Sequence, residues 1–352
     1  MKIITVVGAR PQFIKAAAVS NILRKEHQEI LIHTGQHYDE NMSKIFFDEL
    51  KIPIPDYNLT IGSGNHGEQT GRMLIELEKI YLKEKPDLVL VYGDTNSTLG
   101  GALCASKLLI PVAHVEAGLR SFNMSMPEEQ NRILTDNISK FLFVPTKTAE
   151  DNLIKEGIKN GIYNVGDVMF DAVLHFKNLV NQKESIIDKI GVKENQYILT
   201  TIHRAENTNN IDRLRNIIEA LNKCEQTVVL PLHPRTKKYM MDYDLKFNKN
   251  IKVIDPVGYL DMINLEMNSK KIVTDSGGVQ KEAFFMNKPC ITMRDETEWI
   301  ETVHNGWNII VGTDKEKILE CIIKFMPNRK QEEIFGDGHA AEKILTIINE
   351  NF

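Results

Sequence analysis

The chain has 352 residues, of which 42% are hydrophobic and 26% charged, and its formal net charge is −5. A chain of this length exceeds the size at which a single hydrophobic core stops growing, so we expect two domains. The mild negative charge, with basic residues scattered along the sequence, argues against a protein that binds nucleic acid.

The sequence contains no segment that approaches the ~20 apolar residues of a membrane helix, and its first apolar run is too short for a signal peptide. We therefore expect a cytoplasmic protein. The cysteines are far apart and have apolar neighbours, which is typical of reduced core residues; they are Cys104, Cys224, Cys290 and Cys321. Neither they nor the histidines have metal-ligand spacing, so we expect no metal site.

Short apolar runs alternate with helical patterns along the chain, which indicates βαβ units and parallel sheets covered on both faces. The strands predicted in the first half are Ile3–Val7, Glu29–Thr34, Leu88–Tyr92, Val112–Val115 and Phe141–Val144. The strands predicted in the second half are Tyr197–Thr201, Thr227–Leu232, Ile251–Ile254, Lys271–Thr274 and Cys290–Met293. The pattern predicts an α/β fold of two doubly wound domains, 1–168 and 169–339, with a final helix over 340–352 and a ligand cleft between the domains.

The segment GARPQFIK, after the first predicted strand, has the layout of an anion site. Gly8 permits a tight turn, Pro11 suits the first turn of a helix, and Arg10 and Lys15 lie near the positive end of that helix. The segment is neither GxGxxG nor a Walker loop, which disfavours dinucleotide binding and ATP hydrolysis. A solvated arginine and lysine on an ordinary helix is the structural alternative.

The segment TDSGGVQKEA repeats this layout in the second half. Backbone N–H groups at the start of the predicted helix can bind a diphosphate, and Glu282, one turn into the helix, can accept hydrogen bonds from ribose hydroxyls. A well-capped helix would explain Ser276 but gives no reason for Gly277 followed by Gly278. The segment therefore predicts a nucleotide site.

Polar residues also follow three other predicted strands. Asp94 follows the third strand, His203 and Arg204 follow the sixth, and His233 and Arg235 follow the seventh. The aspartate could instead cap a helix, and a lone histidine at a strand end is more often structural. Several such clusters at the edges where parallel sheets bind ligands favour a functional site.

The stretch HVEAGLRSFNMSMPEEQNR, from the end of the fourth predicted strand, is rich in acids and arginines. A proline begins the next helix, so Glu128 and Arg132 are one turn apart and within reach of an ion pair. Glu116 lies at the end of the strand, where it could converge with Asp94 and Glu128. Burial of these clustered carboxyls would raise their pKa values, which would make at least one of them a proton carrier. A surface ion pair is the alternative, and the spacing does not choose between Glu128 and Glu129.

Eight motifs, in chain order, resemble those of the non-hydrolysing UDP-N-acetylglucosamine 2-epimerases: GARPQFIK, TGQH, GDT, HVEAGLRS, PEEQNR, HRAEN, LPLHPRT and TDSGGVQKEA. The resemblance covers nearly the whole chain. It implies two Rossmann-like domains in a glycosyltransferase-B arrangement, with the final helix crossing back to the first domain. We also expect a homodimer that binds a UDP-sugar and needs no cofactor.

The resemblance also implies roles for individual residues. The positions that match the family's catalytic residues are Asp94, Glu116, Glu128 and His203. The positions that match its UDP-binding residues are Arg10, Ser276, Gly277, Gly278 and Glu282. Lys15 and Arg132 would assist around the phosphates and the acids, and Arg204 completes the predicted substrate-binding set.

The implied reaction is C2 epimerisation of a UDP-2-acetamido sugar, of the UDP-GlcNAc to UDP-ManNAc type, for surface polysaccharide synthesis. The C2 proton leaves as UDP departs from C1, which gives a 2-acetamidoglucal, and UDP then adds back with protonation on the opposite face. This cycle needs proton carriers on both faces of the sugar and groups that stabilise the diphosphate. The residues alone do not say which acid is the base.

Two segments depart from the family pattern. GARPQ stands where many members have GTRPE, and RDETEWIETVHNGWN replaces the usual RDTTERPE segment. Both resemble the branch that acts on UDP-2,3-diacetamido sugar uronates, which leaves the sugar open. A glycosyltransferase of the same architecture and a silent nucleotide-sugar-binding module are further alternatives, and the acids argue against the silent module.

Bacterial members of the family can bind a second UDP-GlcNAc beside the active site, through positions that match Gln36, Asp39, Glu68 and His233. Gln36 and His233 keep the family's residue types. Glu68 stands where arginine is usual, and Asp39 where a neutral or longer side chain is usual. Added negative charge repels a second diphosphate, so we expect no requirement for UDP-GlcNAc as an activator.

Overall fold

The computed structural model describes residues 1–36, 47, 50, 52–180 and 184–352. The chain divides into two compact units, Met1–His175 with Glu333–Phe352, and Phe176–Glu332. Each unit is built around one parallel sheet with helices between its strands. This confirms the predicted class of two doubly wound α/β domains.

The first sheet has seven parallel strands among the described residues, in the order β3-β2-β1-β4-β5-β6-β7. They are β1 Lys2–Val7, β2 Gln28–His33, β3 Tyr57–Asn58, β4 Leu88–Tyr92, β5 Val112–Val115, β6 Phe141–Val144 and β7 Ile162–Asn164. Every residue of β4, β5 and β6 is buried. Burial on both faces explains why these strands are apolar at successive positions.

The second sheet has six parallel strands in the described part of the chain, in the order β10-β9-β8-β11-β12-β13. They are β8 Tyr197–Thr201, β9 Thr227–Pro231, β10 Ile251–Ile254, β11 Lys271–Thr274, β12 Cys290–Thr292 and β13 Asn308–Ile310. Successive residues of β8 enter different apolar clusters, Ile198 one and Leu199 the other. This alternation follows from the two-residue period of a strand.

Helices connect most of the strands. Those in the first unit are α1 Arg10–Leu23, α2 His66–Glu84, α3 Asn96–Lys107, α4 Pro127–Ile138, α5 Lys147–Lys155 and α6 Val168–Val180, which extends into the second unit. Those that follow are α7 Ile186–Lys189, α8 Ala205–Thr208, α9 Ile211–Lys223, α10 Pro234–Asp242, α11 Tyr259–Asn268, α12 Gly277–Phe285, α13 Ile300–His304, α14 Lys315–Lys324 and α15 Ala340–Asn351.

The final helix, α15, is part of the first unit and packs against α1. Its start is capped by Asp171, whose carboxylate accepts hydrogen bonds from the backbone N–H of Ala340 at 3.1 Å and of Ala341 at 2.7 Å. Ala341, Ile344, Leu345 and Ile348 form its buried face, at the three- and four-residue spacing of one helix side.

The order of strands reverses at one place in each sheet. β1 lies between β2 and β4, and β8 lies between β9 and β11. At such a reversal the connections leave towards opposite faces, which opens a crevice at the carboxyl ends of the two central strands. Gly8 and Gly93 follow the central strands of the first sheet, and Ile202 and Asp275 follow those of the second. The residues predicted to bind ligand cluster at these two positions.

The ten strands predicted from sequence are confirmed to within one residue at each end. Three short strands were not predicted, namely β3, β7 and β13. All four cysteines are buried and unbridged, as expected of core residues. Within the described residues, no helix is long and apolar enough to cross a membrane, and no cluster of His, Cys, Asp and Glu has the geometry of a metal site.

Candidate active site

A buried glutamine joins the two turns at the reversal point of the first sheet. The Oε1 atom of Gln12 accepts hydrogen bonds from the backbone N–H of Gly8 at 2.8 Å and of Ala9 at 3.0 Å. Its Nε2 atom donates to the carbonyl of Tyr92 at 2.7 Å. A Cβ atom on Gly8 would lie 2.0 Å from the Ser97 hydroxyl, so this close approach requires glycine.

Asp94 follows β4 in the second of these turns. The helix after it is capped by Thr95, whose hydroxyl accepts a hydrogen bond from the backbone N–H of Thr98 at 3.3 Å. Asp94 therefore does not cap the helix, and that structural alternative for it is wrong. Its carboxylate instead accepts a hydrogen bond from Nη2 of Arg132 at 2.5 Å.

Three charged groups act on Asp94, namely Arg132, Glu116 and Lys15. The Asp94 side chain is 30% exposed, and desolvation is the largest effect on its carboxyl, raising the pKa above the ordinary value. Arg132 and Lys15 act in the opposite direction, whereas the charge of Glu116 raises the pKa further. A carboxyl with a raised pKa is a better proton carrier near neutral pH than an exposed one.

Glu116 and Lys15 form a direct ion pair at the end of β5, with side-chain exposures of 7% and 10%. Glu116 has a backbone φ of 72°, in the left-handed region that residues other than glycine rarely adopt. Its N–H donates to the carbonyl of Phe143 at 3.0 Å, which fixes this conformation beside β6. Strained backbone of this kind is common at functional sites.

Adjacent glutamates at the start of α4 have opposite environments. Glu128 is exposed, whereas Glu129 is 1% exposed and accepts a hydrogen bond from Nη1 of Arg132 at 2.8 Å. The predicted ion pair between Glu128 and Arg132 is therefore wrong. Arg132 turns towards Asp94, and the acid three residues before it, rather than the one four residues before it, lies on that side of the helix.

The arginine of HVEAGLRS is structural. Arg120 forms ion pairs with Asp136 and Glu156, each at 2.7 Å, and its side chain is 1% exposed. Asp136 also accepts a hydrogen bond from Nδ1 of His114 at 2.7 Å, and the other ring nitrogen of that histidine lies 2.7 Å from the carbonyl of Gly93. This buried network supports the turn at Gly93, which is followed by Asp94.

In the second unit, a buried aspartate joins the turns after β8 and β11. Asp275 has no exposed surface and accepts hydrogen bonds from the backbone N–H of His203 at 3.1 Å and of Arg204 at 3.0 Å. The His203 Nδ1 atom lies 3.4 Å from Oδ1 of the same carboxylate. The aspartate was not among the predicted site residues, although its place between a strand and SGG was a signal.

The Gly-Gly turn leaves backbone donors free at the start of α12. Ser276 caps this helix, and its hydroxyl accepts a hydrogen bond from the backbone N–H of Val279 at 3.5 Å. The N–H groups of Gly277 and Gly278 have no acceptor within the described part of the chain. A Cβ atom on Gly277 would lie 2.2 Å from Glu298, whereas one on Gly278 would have no neighbour closer than 3.9 Å.

Packing therefore explains the first of these glycines but not the second. Free N–H groups at the positive end of a nine-residue helix provide the chemistry that binds phosphate oxygens. Glycine at the second position leaves room for a ligand to approach the backbone.

Glu282 lies further along the same helix and is 4% exposed. Its Oε1 atom accepts a hydrogen bond from the hydroxyl of Tyr259 at 2.8 Å. Glu266 is fully buried nearby, where desolvation and the charge of Glu282 raise its pKa well above the ordinary value. Burial and the neighbouring carboxylate therefore favour the protonated, uncharged form of Glu266.

The segment RDETEW packs on the first turns of α12. Glu298 forms an ion pair with Arg294 at 2.7 Å and lies 3.8 Å from Nη2 of Arg204. Burial alone would raise the pKa of Glu298, but the charges of Arg294 and Arg204 and its hydrogen bonds together outweigh burial, so the pKa falls below the ordinary value. The Lys281 ammonium lies 4.0 Å from the ring centre of Trp299. One of the two departures from the family pattern thus lies beside the Gly-Gly turn.

The residues matched to a second nucleotide-sugar site have other contacts. The Nδ1 atom of His233 caps α10 by accepting a hydrogen bond from the backbone N–H of Arg235 at 3.1 Å. Glu68 pairs with Arg72 at 2.6 Å, one turn further along α2. The positive charge of Arg72 therefore offsets part of the negative charge that Glu68 adds at this position. Asp39 lies outside the described residues.

The structure thus brings the predicted site residues into two groups. In the first unit, Lys15, Asp94, Glu116 and Arg132 form a connected cluster, while Arg10 is exposed at the start of α1 and Glu128 at the start of α4. In the second unit, His203, Arg204, Ser276, Gly277 and Gly278 surround the turns that Asp275 joins, with Glu282 one turn along α12. Sequence reasoning missed Gln12, Asp275 and Glu298, and helical spacing did not choose between Glu128 and Glu129.

Two doubly wound units with an acid cluster at one reversal point and free amides at the other define a two-domain α/β protein suited to a phosphate-bearing ligand. A family model described as UDP-N-acetylglucosamine 2-epimerase matches residues 21–349. The chain belongs to the UDP-N-acetylglucosamine 2-epimerase family, whose members are isomerases. The resemblance drawn from the eight motifs is confirmed.

Individual relatives match along their whole length. A UDP-N-acetylglucosamine 2-epimerase homolog of Methanococcus maripaludis is 58% identical, and the UDP-2,3-diacetamido-2,3-dideoxy-D-glucuronate 2-epimerase of Pseudomonas aeruginosa is 53% identical, each over 99% of both chains. The structure of Methanocaldococcus jannaschii UDP-GlcNAc 2-epimerase in complex with UDP-GlcNAc and UDP is 49% identical, covers 100% of both chains and has a TM-score of 0.88.

Proposed function

We propose that this protein epimerises a UDP-2-acetamido sugar at C2, in the direction UDP-GlcNAc to UDP-ManNAc and back, by eliminating UDP and adding it again. The observation that supports this most strongly is the cluster of Asp94 and Glu116 with Lys15 and Arg132 at a sheet reversal point. A site that only bound UDP would not need two acids beside its cations. The product would serve surface polysaccharide synthesis.

The acids supply the proton transfers. In the elimination step, a carboxylate takes the C2 proton, the electron pair forms the C1–C2 double bond, and the C1–O bond to UDP breaks. In the second step, UDP re-forms that bond and a protonated carboxyl on the other face gives its proton to C2. We assign these transfers to two of the three acids Asp94, Glu116 and Glu128. The raised pKa of Asp94 suits it to either half of the cycle.

The second unit stabilises the leaving diphosphate. The N–H groups of Gly277 and Gly278 at the start of α12 would donate to its oxygens, together with Ser276. His203 and Arg204, beside this turn, complete the predicted donors of the second unit, while Arg10 and Lys15 stay the predicted phosphate-binding cations of the first unit. Glu282, held by Tyr259, would accept from the ribose hydroxyls.

A second substrate has specific support. The Pseudomonas aeruginosa relative named for a UDP-2,3-diacetamido-uronate is 53% identical, and the RDETEW segment lies beside the Gly-Gly turn through Glu298. The same C2 chemistry would apply, because neither a 3-acetamido group nor a carboxylate at C6 changes the bonds that break. The glycosyltransferase alternative has no such support, since the matched family consists of epimerases.

Proton NMR tests this proposal directly. The protein is incubated with UDP-GlcNAc, UDP-ManNAc, or either C2 epimer of the UDP-2,3-diacetamido-uronate, each without any acceptor. We expect the H1 and H2 signals of the other epimer to appear with at least one pair, and the pair with the larger kcat/KM identifies the substrate. Transfer that depends on an added acceptor, with no interconversion of any sugar, would contradict the proposal.

We also propose that the protein is a cytoplasmic homodimer. Ile75 and Leu82 on α2, Leu109 after α3 and Leu134 on α4 are each more than half exposed, and these three helices pack side by side. A second copy of the chain would cover this apolar surface. Light scattering coupled to size-exclusion chromatography should give about twice the monomer mass of 40.2 kDa, and a Leu134→Glu variant should shift towards monomer.

A further inference from the structure

Glu129, which helical spacing did not distinguish from Glu128, is a buried acid of helix α4 with three hydrogen-bond donors. Its carboxylate accepts hydrogen bonds from the backbone N–H of Ser121 at 2.9 Å and of Phe122 at 2.8 Å, and from Nη1 of Arg132 at 2.8 Å. These bonds and the surrounding groups lower its pKa below the ordinary value despite the burial that opposes this. Glu129 is therefore a fixed negative charge.

The bond to Arg132 connects this charge to the acid cluster. Arg132 uses Nη1 for Glu129 and Nη2 for Asp94, so one guanidinium joins the two carboxylates. Asn131, next to it on α4, donates to the backbone carbonyl of Asp94 at 2.9 Å. Helix α4 thus holds the turn of Asp94 at both its backbone and its side chain.

The other two bonds fix the chain that leads into α4. Phe122 is 78% exposed and has a φ of 56°, a left-handed conformation that burial in a core does not stabilise. Its N–H and that of Ser121 are bonded to Glu129 from across the loop. The loop ends at the first turn of α4, where Glu128 lies, so its position depends on the same carboxylate.

We propose that Glu129 is a positioning residue for the C2 proton transfers, acting on Asp94 through Arg132 and on Glu128 through the loop that it anchors. This inference rests on the proposed epimerase function. It gives different roles to the two neighbouring glutamates: the exposed one faces the substrate and the buried one holds the acids in place.

The electrostatic part of this role has a definite sign. The charged groups that face Asp94 are Arg132 from α4, Glu116 from the end of β5 and Lys15 from α1. Glu129 neutralises part of the charge on Arg132. Without it, the arginine would stabilise the Asp94 carboxylate more strongly and the Asp94 pKa would fall. Glu129 therefore keeps the Asp94 carboxyl easier to protonate.

The variant Glu129→Gln tests the proposal, because glutamine keeps the size and one acceptor oxygen but removes the charge. Glu84→Gln is the control: Glu84 is a half-buried acid of the first unit, paired with Lys2 at 3.4 Å, but at the opposite end of β1 from the acid cluster. Epimerisation of the active UDP-sugar is followed from pH 5 to pH 9 in both directions.

We expect Glu129→Gln to lower kcat by roughly 10- to 100-fold, the loss typical of misplaced catalytic groups, with KM changed less than about threefold. One limb of its pH profile should move to lower pH by about one unit. The control should keep the wild-type kcat and profile. The proposal would be overturned if the Glu129→Gln variant kept the wild-type kcat and the wild-type pH profile, whatever its melting temperature.

A double-mutant cycle separates action through Arg132 from a general weakening of the fold. If Glu129 acts through Arg132, its substitution should matter less once Arg132 has been replaced. The change in log kcat that Glu129→Gln causes in an Arg132→Gln protein should then be less than half of the change that it causes in the wild type. Fully additive losses would overturn the proposal. Wild-type protein that epimerises none of the UDP-sugars would instead contradict the proposed function, so the two failures are distinguishable.

Discussion

Lys15 and Glu116 form a buried ion pair at the carboxyl edge of the first sheet, beside the turn that carries Asp94. The lysine comes from the first helix and the glutamate from the end of β5, so the pair ties the predicted anion-binding turn to the acid cluster. A Cβ atom on Gly93 would lie 3.4 Å from the Glu116 carboxylate and 3.7 Å from the Lys15 ammonium. The turn at Gly93 therefore lies in van der Waals range of both charged groups.

Removing the lysine should leave a buried carboxylate without its partner. We expect Lys15→Met to lower the free energy of unfolding by about 3–5 kcal/mol, the usual cost of breaking a buried ion pair. The double variant Lys15→Met, Glu116→Gln should recover part of this loss, because glutamine carries no charge. Denaturant unfolding of both variants measures it. Equal stability of the single and double variants would show that the pair is not buried in solution.

The Asp94→Asn variant should stabilise the protein at high pH. Desolvation raises the pKa of this carboxyl, so the folded protein favours its protonated form. The stability gained from protonation is present at low pH and is lost as the pH rises through the raised pKa. Asparagine does not ionise and avoids this loss.

The expected result is a melting temperature at pH 8 no lower than that of the wild type, with a difference that shrinks as the pH falls towards 4. Activity should be lost at the same time, as is common when a replacement that suits the fold removes an active-site group. If Asp94→Asn is destabilised at pH 8, the pairing of Asp94 with Arg132 outweighs its desolvation.

The proposed catalytic residues at exposed positions should be replaceable without loss of fold. Glu128→Gln and His203→Ala should each lower kcat by about 10²- to 10⁴-fold, the range for acid–base groups. The melting temperatures should stay near that of the wild type, because Glu128 is exposed and 38% of the His203 side chain is exposed. Glu150→Gln, a change in the first turn of α5, is the control. Near-normal turnover in either variant would remove that residue from the proposed catalytic set.

The sequence predicted the central strands because their apolar runs are continuous, and continuous burial is what a parallel sheet imposes. It did not predict the edge strands β3 and β7, which have two and three residues. Their side chains are half-buried or exposed, so their composition carries little signal. Pairing with a longer neighbour, rather than any local preference, makes these segments strands.

The candidate site was predictable in its members but not in its pairings. Helical spacing places both Glu128 and Glu129 within reach of Arg132. Asp94 lies on the side of the helix that carries Glu129, and the guanidinium turns to that side. The bonds from Asp275 to the turn after β8 join residues more than 70 positions apart, which no local pattern contains. Motif resemblance supplied the groups that we propose to face the ligand, whereas the supporting groups are brought to them only by the folded chain.

A requirement for an activator can be tested with the C2-inverted substrate alone. We expect the reverse reaction, started from UDP-ManNAc without UDP-GlcNAc, to proceed from the first minute, because Glu68 places a negative charge where the family usually has a cation. Its pairing with Arg72 reduces but does not reverse that charge. A rate that stays near zero until a trace of UDP-GlcNAc is added would show that a second site operates.

The central claim is that the C2 proton is removed and replaced during each turnover. The most direct measurement is therefore interconversion of the active UDP-sugar in D2O, followed by proton NMR and mass spectrometry. We expect the product to carry deuterium at C2, with the H2 signal lost and the mass raised by one unit, and we expect Glu128→Gln to slow this incorporation as much as it slows epimerisation. Product formed at the normal rate with its original proton at C2 would contradict the elimination route and the role of the acid cluster.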